Sequence, residues 1–153
     1  MSIASDLRTA SDKLTESNWH KGADFKANGN EVCMCVHGAV QSVVNPRVAR
    51  ILGSHGAPTD AEASFAAASG GLHVAASSAA AATYAVAASG IGPVDLECAK
   101  GLYLARRDWQ IPAHFVMGLV GLTTEFNDAP NTTLPMVKEK LSQAIQLAET
   151  MGV

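Results

Sequence analysis

The sequence predicts a mainly α fold, a bundle of about six or seven helices with one small β-hairpin near residues 20–35. Apolar residues recur at helical spacing at both ends of the chain, and an Asn28–Gly29 turn signal separates two short mixed segments. The 153 residues lie in the single-domain range and show no break in composition. We therefore expect one helical domain that spans residues 1–153.

The first and last segments carry the clearest helical stripes. Ser2 is placed to cap a helix that runs to about Ser17, and Thr133 and Gly152 are placed to bound a closing helix. We expect these two helices to pack against each other. Their apolar positions are Ile3, Leu7, Ala10 and Leu14 in the first helix and Leu134, Val137, Leu141, Ala144, Ile145 and Ala148 in the last.

Two shorter helices follow the hairpin. One is predicted from about Val36 to Val44, and the next begins at Asn45–Pro46 and ends near Leu52. Asparagine is a good helix cap and proline suits the first helical position, so this pair favours a boundary between two helices.

The centre of the chain is rich in alanine and predicts three helices, at about 60–70, 72–88 and 94–107. These helices either form the inside of the bundle or supply the interface of a homo-oligomer. The stretch from Ala63 to Val94 contains no charged residue and is long enough to span a bilayer. Its weak hydrophobicity and its Gly70–Gly71 break favour helices outside the membrane.

A buried helix is predicted from Ala113 to Leu122, followed by a loop from Phe126 to Asn131. In this loop Asn127 and Asp128 are either polar site residues or ordinary turn residues whose side-chain oxygens accept from backbone amides.

The charge distribution limits the class of partner. The net charge is −3, with 11 basic and 14 acidic residues and no basic block, so we expect no nucleic-acid partner. Charged residues from Asp6 to Lys13 interrupt any apolar run near the start. We expect a cytoplasmic protein with reduced thiols.

The densest group of reactive side chains is Cys33-Met34-Cys35-Val36-His37, with His20 across the predicted hairpin and Cys98 far along the chain. Sulfur and imidazole are zinc ligands, but structural zinc sites bring cysteines in pairs two to four residues apart. We therefore expect no metal and no cofactor, and we interpret the thiols as buried side chains.

Cys35 allows one catalytic interpretation. It precedes a predicted helix, where free amides and the helix dipole can lower the pKa of a thiol. His20, His37 or His114 would then act as the base, and Asp128 would orient that base. The alternative is a small apolar cysteine that fills a contact in the core.

Trp19 and Trp109 are expected to bury their rings with the indole N–H groups bonded.

Gly70–Gly71 and Gly90–Pro93 precede predicted helices whose N-termini could hold an anion, although neither matches a nucleotide-binding fingerprint.

Three short segments resemble an uncharacterised domain family of actinobacteria and their bacteriophages. They are Trp19-His20-Lys21-Gly22, Cys35-Val36-His37-Gly38-Ala39-Val40 and Phe126-Asn127-Asp128, followed by the closing helix. Members carry W-x-x-G, C-x-x-G-A-L/V and W/F-N-D segments, and this chain has phenylalanine where tryptophan is common. The resemblance implies a phage or actinobacterial cytoplasm and no particular reaction. It directs attention to Trp19, Gly22, Cys35, Gly38, Asn127 and Asp128.

These observations predict a small non-enzymatic binding protein that acts as a homo-oligomer, such as a phage factor that engages a host protein. The expected binding residues are Trp19, Gly22, Asn127 and Asp128. One alternative is an enzyme that uses Cys35, His37 and Asp128, and another is a sponge for a small anionic nucleotide.

Overall fold

A computed structural model of the chain describes residues 2–29, 31–53, 78–91, 97, 101 and 113–153. Within these ranges the fold is mainly α with one two-stranded hairpin, which confirms the predicted fold class. The elements are α1 (Ile3–Lys13), β1 (Phe25–Asn28), β2 (Glu31–Met34), α2 (Val36–Val44), α3 (Pro46–Gly53), α4 (Ser78–Ser89), α5 (Ala113–Asp128) and α6 (Leu134–Met151). The predicted helix at 60–70, most of the one at 94–107, and Trp109 lie outside the described residues.

The two terminal helices pack against each other, as predicted. The α1 stripe from Ile3 to Leu14 is buried, and the Arg8 guanidinium pairs with the Glu149 carboxylate on α6. The amide of Ala4 donates to the carbonyl of Val153 at 3.2 Å, so the end of the chain is bonded to the start of α1.

Two features of these helix ends differ from the prediction: α1 ends at Lys13 and not near Ser17, and Thr133 makes no cap bond. Ser2 Oγ accepts from the amide of Ser5, and Gly152 ends α6 with φ of +75°, a left-handed conformation that favours glycine. Thr133 occupies the position before α6, but its side chain makes no capping hydrogen bond.

The hairpin lies within the predicted region, and Asn28 of the turn signal belongs to β1. Asn28 faces Glu31 across the antiparallel pair, so the strands are connected between these two residues. Gly29 has φ of +63°, which glycine adopts without steric cost. On the other side of β2, the backbone at Trp19 forms an isolated parallel bridge with Met34. This bridge holds the segment before the hairpin against β2.

Helices α2 and α4 form the interior of the described fold. Cys35 caps α2, and Asn45 separates α2 from α3 as predicted, with its Oδ1 3.4 Å from the amide of Val48. The α4 side chains from Ala82 to Ala88 are all buried, and α4 packs against α1, α5 and α6. The four alanines in this run allow close approach, and burial on every side places this part of the alanine-rich centre inside the bundle.

Helix α5 is longer than predicted. The sequence predicts an end at Leu122 and a loop from Phe126, but the helix continues through Asp128. The reason is tertiary: the polar groups of Asn127 bond to distant segments, and the hydroxyl of Thr132 donates to the carbonyl of Phe126 at 2.7 Å. Such contacts override the weak helix propensity of asparagine and aspartate.

No helix among the described residues is long and apolar enough to cross a bilayer. This finding agrees with the interpretation of the alanine-rich stretch for the part of it that the structure describes.

Candidate functional site

The side chain of Asn127 joins three segments of the chain. Its Oδ1 accepts from the indole N–H of Trp19 at 2.8 Å and from the amide of Val36 at 3.2 Å. Its Nδ2 donates to the carbonyl of His20 at 3.1 Å and to Asp128 Oδ1 at 2.8 Å. Asn127 is completely buried and uses both lone pairs and both protons of its amide. We call this group the Asn127 anchor.

Asp128 and Lys21 extend the anchor towards the surface. Asp128 Oδ1 also accepts from the amide of Gly22 at 2.9 Å, and Gly22 has φ of +101°, which disfavours any larger residue. Lys21 Nζ donates to the carbonyls of Ala129 and Pro130 at 2.6 and 3.1 Å. A cation at this position complements the negative end of the α5 dipole.

The four predicted binding residues therefore lie together. Trp19, Gly22, Asn127 and Asp128 are connected by hydrogen bonds, although more than 100 residues separate the two halves of the group. The predicted N–H partner of Trp19 is confirmed. The turn interpretation of Asn127 is wrong, because its side-chain oxygen accepts from Trp19 and Val36 in distant segments and not from an amide of its own turn.

A second polar group, the Asp24–His37 cluster, consists of Asp24, Cys35, His37 and Tyr84. Asp24 Oδ2 lies 3.5 Å from His37 Nε2, and Asp24 Oδ1 accepts from the Cys35 thiol at 3.5 Å. His37 Nδ1 and the Tyr84 hydroxyl share a hydrogen bond of 2.6 Å. Cys35, His37 and Tyr84 are buried, whereas the carboxylate of Asp24 is partly exposed.

Burial controls protonation in this cluster. Burial, and secondly the Asp24 charge, raise the pKa of the Cys35 thiol to about 12. The amide of Gly38 donates to Cys35 Sγ at 3.4 Å, and this bond does not offset the loss of solvation. Burial also lowers the pKa of His37, opposed by the Asp24 charge. The lowered thiol pKa that the catalytic interpretation requires is therefore not found at the start of α2.

The catalytic interpretation also requires a base and an orienting carboxylate in contact. His37 Nε2 faces Asp24, and the hydrogen bonds of the Cys35 thiol go to Asp24 and Gly38. Asp128 bonds to Asn127 and Gly22 in the other polar group. Cys35, His37 and Asp128 therefore do not form a relay among the bonds that the structure describes.

Gly38 explains how Asp24 reaches α2. A Cβ atom on Gly38 would lie 2.0 Å from the Asp24 carbonyl oxygen, far inside contact distance. The same carbonyl accepts from the amide of Cys35 at 3.2 Å. Glycine is therefore required here, because the backbone before β1 crosses the first turn of α2.

The sequence did not identify Asp24 and Tyr84 as members of a polar site. Tyr84 stands among alanines and reads as one more apolar residue of α4, while Asp24 stands in the hairpin segment. The only available signal was His37, because a buried imidazole requires polar partners.

The two thiols near the hairpin have different surroundings. Cys33 Sγ lies 3.9 Å from the carbonyl oxygen of Ser17, whereas the Cys35 thiol donates to the Asp24 carboxylate. In the part of the chain that the structure describes, no three His, Cys, Asp or Glu side chains are placed to hold a metal ion.

A cavity of about 10 Å³ lies between α2, α4, α5 and α6, next to His37 and Tyr84. This volume holds about one water molecule and no organic ligand. For the nucleotide alternative, Gly90 lies beside the carbonyl of Lys140 at the end of α4, and Gly70, Gly71 and Gly92 fall outside the described residues.

These features define a small, mainly α protein in which the side chains of Cys35, His37 and Tyr84 form hydrogen bonds within the fold. The chain belongs to a family described as a family of unknown function (DUF6197), which matches residues 1–147. The match includes all three motif segments and most of the closing helix. No curated protein and no solved structure matches the chain.

Proposed function

We propose that this chain is a non-enzymatic binding protein that acts as a homo-oligomer. The supporting observation is the outward side of α5, where Phe115 is 36% exposed and Met117 is 53% exposed. Large apolar side chains in contact with water cost free energy, and exposed apolar patches are typical of protein interfaces. The opposite side of α5, at Val116, Leu119 and Val120, is already buried in the bundle.

The chemistry of the buried groups favours binding over catalysis. A nucleophilic cysteine needs access to substrate and a thiolate, whereas Cys35 is 1% exposed and its pKa is about 12. At neutral pH it therefore carries its proton and contacts the interior.

The setting follows from the resemblance. We propose a phage accessory factor, or its actinobacterial counterpart, that engages a host protein in the host cytoplasm. The net charge of −3 supports a protein partner over nucleic acid.

Size-exclusion chromatography with light scattering tests the proposal. The monomer mass is 15.8 kDa, and we expect a single species at a multiple of that mass over a range of concentrations. A monomer at every concentration would contradict the homo-oligomer.

Thiol labelling tests the catalytic alternative. We expect Cys35 in the folded protein to react far more slowly than an unfolded thiol, with Cys35→Ser as the control that assigns the signal. Fast labelling that disappears in Cys35→Ser would favour an enzyme.

A further inference from the structure

The outward side of α5 has a symmetric pattern. We define the α5 outer face by its residues, which are His114, Phe115, Met117, Gly118, Gly121, Leu122, Thr124 and Glu125. His114, Phe115, Met117, Gly118 and Glu125 are exposed, and Gly121, Leu122 and Thr124 are half-buried. Because a helix turns 100° per residue, positions 114, 118, 121 and 125 fall on one line along the middle of this face.

The four positions of the middle line are spaced symmetrically about the point between Leu119 and Val120. Gly118 and Gly121 stand at equal distances from that point, and so do His114 and Glu125. Two copies of α5, placed antiparallel with a two-fold axis at this point, therefore place one residue of each symmetric pair opposite the other residue of that pair in the partner. His114 meets the partner's Glu125, and Gly118 meets the partner's Gly121.

The charges favour this arrangement. An imidazole N–H donates to a carboxylate, and the bond is stronger when the imidazole is protonated. A two-fold axis forms each such contact twice, as in any isologous interface. The axis also keeps the two copies of Glu125 apart, because positions 114 and 125 lie about 16 Å apart along a helix that rises 1.5 Å per residue.

The centre of the face allows close approach. Apart from the neighbouring residues and the backbone of α5 itself, no described atom lies within 4 Å of a Cβ built on Gly118 or on Gly121, so the described packing does not require glycine at either position. Glycine inside a helix costs about 0.5–1 kcal/mol relative to alanine. Paired glycines at a helix crossing let two backbones come close. A helix–helix contact at this face would therefore account for glycine at positions 118 and 121.

The flanks supply the apolar contacts. Phe115 and Leu122 lie on one side of the middle line, where each copy of Phe115 comes close to the partner's Leu122. Met117 and Thr124 lie on the other side, where each Met117 comes close to the partner's Thr124. The Thr124 hydroxyl already donates to the carbonyls of Val120 and Gly121, so covering it leaves no unpaired donor.

We propose that the occupant of the α5 outer face is a second copy of this chain, bound antiparallel about a two-fold axis between Leu119 and Val120. This inference rests on the proposed homo-oligomer and names its interface. The interface pairs His114 with the partner's Glu125 at both ends and Gly118 with the partner's Gly121 at the centre.

A charge-swap experiment tests the interface by light scattering. His114→Glu places two carboxylates together, and Glu125→Lys removes the acceptor, so each variant alone should dimerise about tenfold or more weakly than the unchanged chain. Mixing the two variants in equal amounts should restore dimers, because Glu at 114 then meets Lys at 125. Glu139→Lys, on an exposed position of α6, is the control and should leave the mass unchanged.

The outcomes separate the two proposals. An unchanged chain that is always monomeric would contradict both the homo-oligomer and its interface. An oligomer whose mass resists both single variants would overturn the α5 interface and leave the proposed function standing. Circular dichroism of each variant confirms folding, which we expect because both side chains are exposed.

Disulfide formation tests the direction of the helices in a Cys98→Ser background. His114→Cys mixed with Glu125→Cys should give a cross-linked dimer, whereas each alone should not, because equal positions lie about 16 Å apart along the antiparallel pair. A parallel pair would give the reverse result and overturn the antiparallel arrangement.

Discussion

The two ends of α5 differ in the surroundings of their side chains: one end forms hydrogen bonds within the fold, and the other exposes apolar side chains. At the C-terminal end, Asn127 and Asp128 direct their polar groups into hydrogen bonds with Trp19, His20, Gly22 and Val36. In the first half, Phe115 and Met117 expose apolar surface. One end of the helix is bonded to distant segments, and the other end exposes the apolar surface on which the proposed interface rests.

This contrast changes how the motif segments are interpreted. The W-x-x-G, C-x-x-G-A and F-N-D segments meet at the anchored end, and the bonds that they form there hold the chain together. The α5 outer face contains none of these segments. The short motifs thus share hydrogen bonds within the fold, whereas the proposed α5 interface rests on the exposure of its side chains.

Removing the side chain of Asn127 should have the largest effect on stability. Asn127→Ala leaves the Trp19 indole, the Val36 amide and the His20 carbonyl without their partner, which should lower the free energy of unfolding by about 3–5 kcal/mol. Urea unfolding measures the loss. Asn131→Ala, an exposed asparagine nearby, should change stability by less than about 0.5 kcal/mol. Equal effects would show that the anchor contributes nothing.

A substitution at Gly38, where the backbone of Asp24 crosses α2, should have the second-largest effect on stability. Gly38→Ala drives a methyl group into the Asp24 carbonyl, and the backbone must move, which should cost about 3 kcal/mol. The same unfolding measurement applies. A variant as stable as the original chain would show that Asp24 does not lie against α2.

The Asp24–His37 cluster should make stability fall in alkali. The folded pKa of Cys35 is raised from 9.0 to about 12, so above pH 9 the unfolded chain loses the thiol proton first. Stability is then fully present below pH 9 and should be lower by about 1.4 kcal/mol at pH 10. Unfolding between pH 8 and pH 10 checks this slope, which should flatten in Cys35→Ala. An unchanged slope in that variant would assign it to another group.

The smallest effect should come from the free end of α5, with the opposite sign. Gly118→Ala meets no atom within 4 Å and removes a flexible residue from a helix, so it should raise the free energy of unfolding by about 0.5–1 kcal/mol. Denaturation at low protein concentration measures this gain in the monomer. If the α5 pair forms, the same variant should weaken the dimer in light scattering.

The sequence predicted the terminal helices well because their apolar stripes are long and their caps are local. The Asn45–Pro46 boundary and the position of the hairpin were also local signals. The end of α5 was missed because Asn127 and Asp128 favour turns unless distant partners satisfy them. The pKa of Cys35 is raised because the thiol is buried. Its position before a helix would by itself favour a lowered pKa, so this local signal does not reveal the outcome.

By itself the sequence determined the mainly α class, the apolar stripes of the first and last helices and the family resemblance, because periodicity, capping and short motifs act over a few residues. Only the tertiary structure decided that Trp19, Gly22, Asn127 and Asp128 form one anchored group, that Asp24 and Tyr84 surround His37, and which side of α5 stays exposed. Those outcomes depend on contacts between segments up to about a hundred residues apart, and no local pattern in a single sequence specifies them.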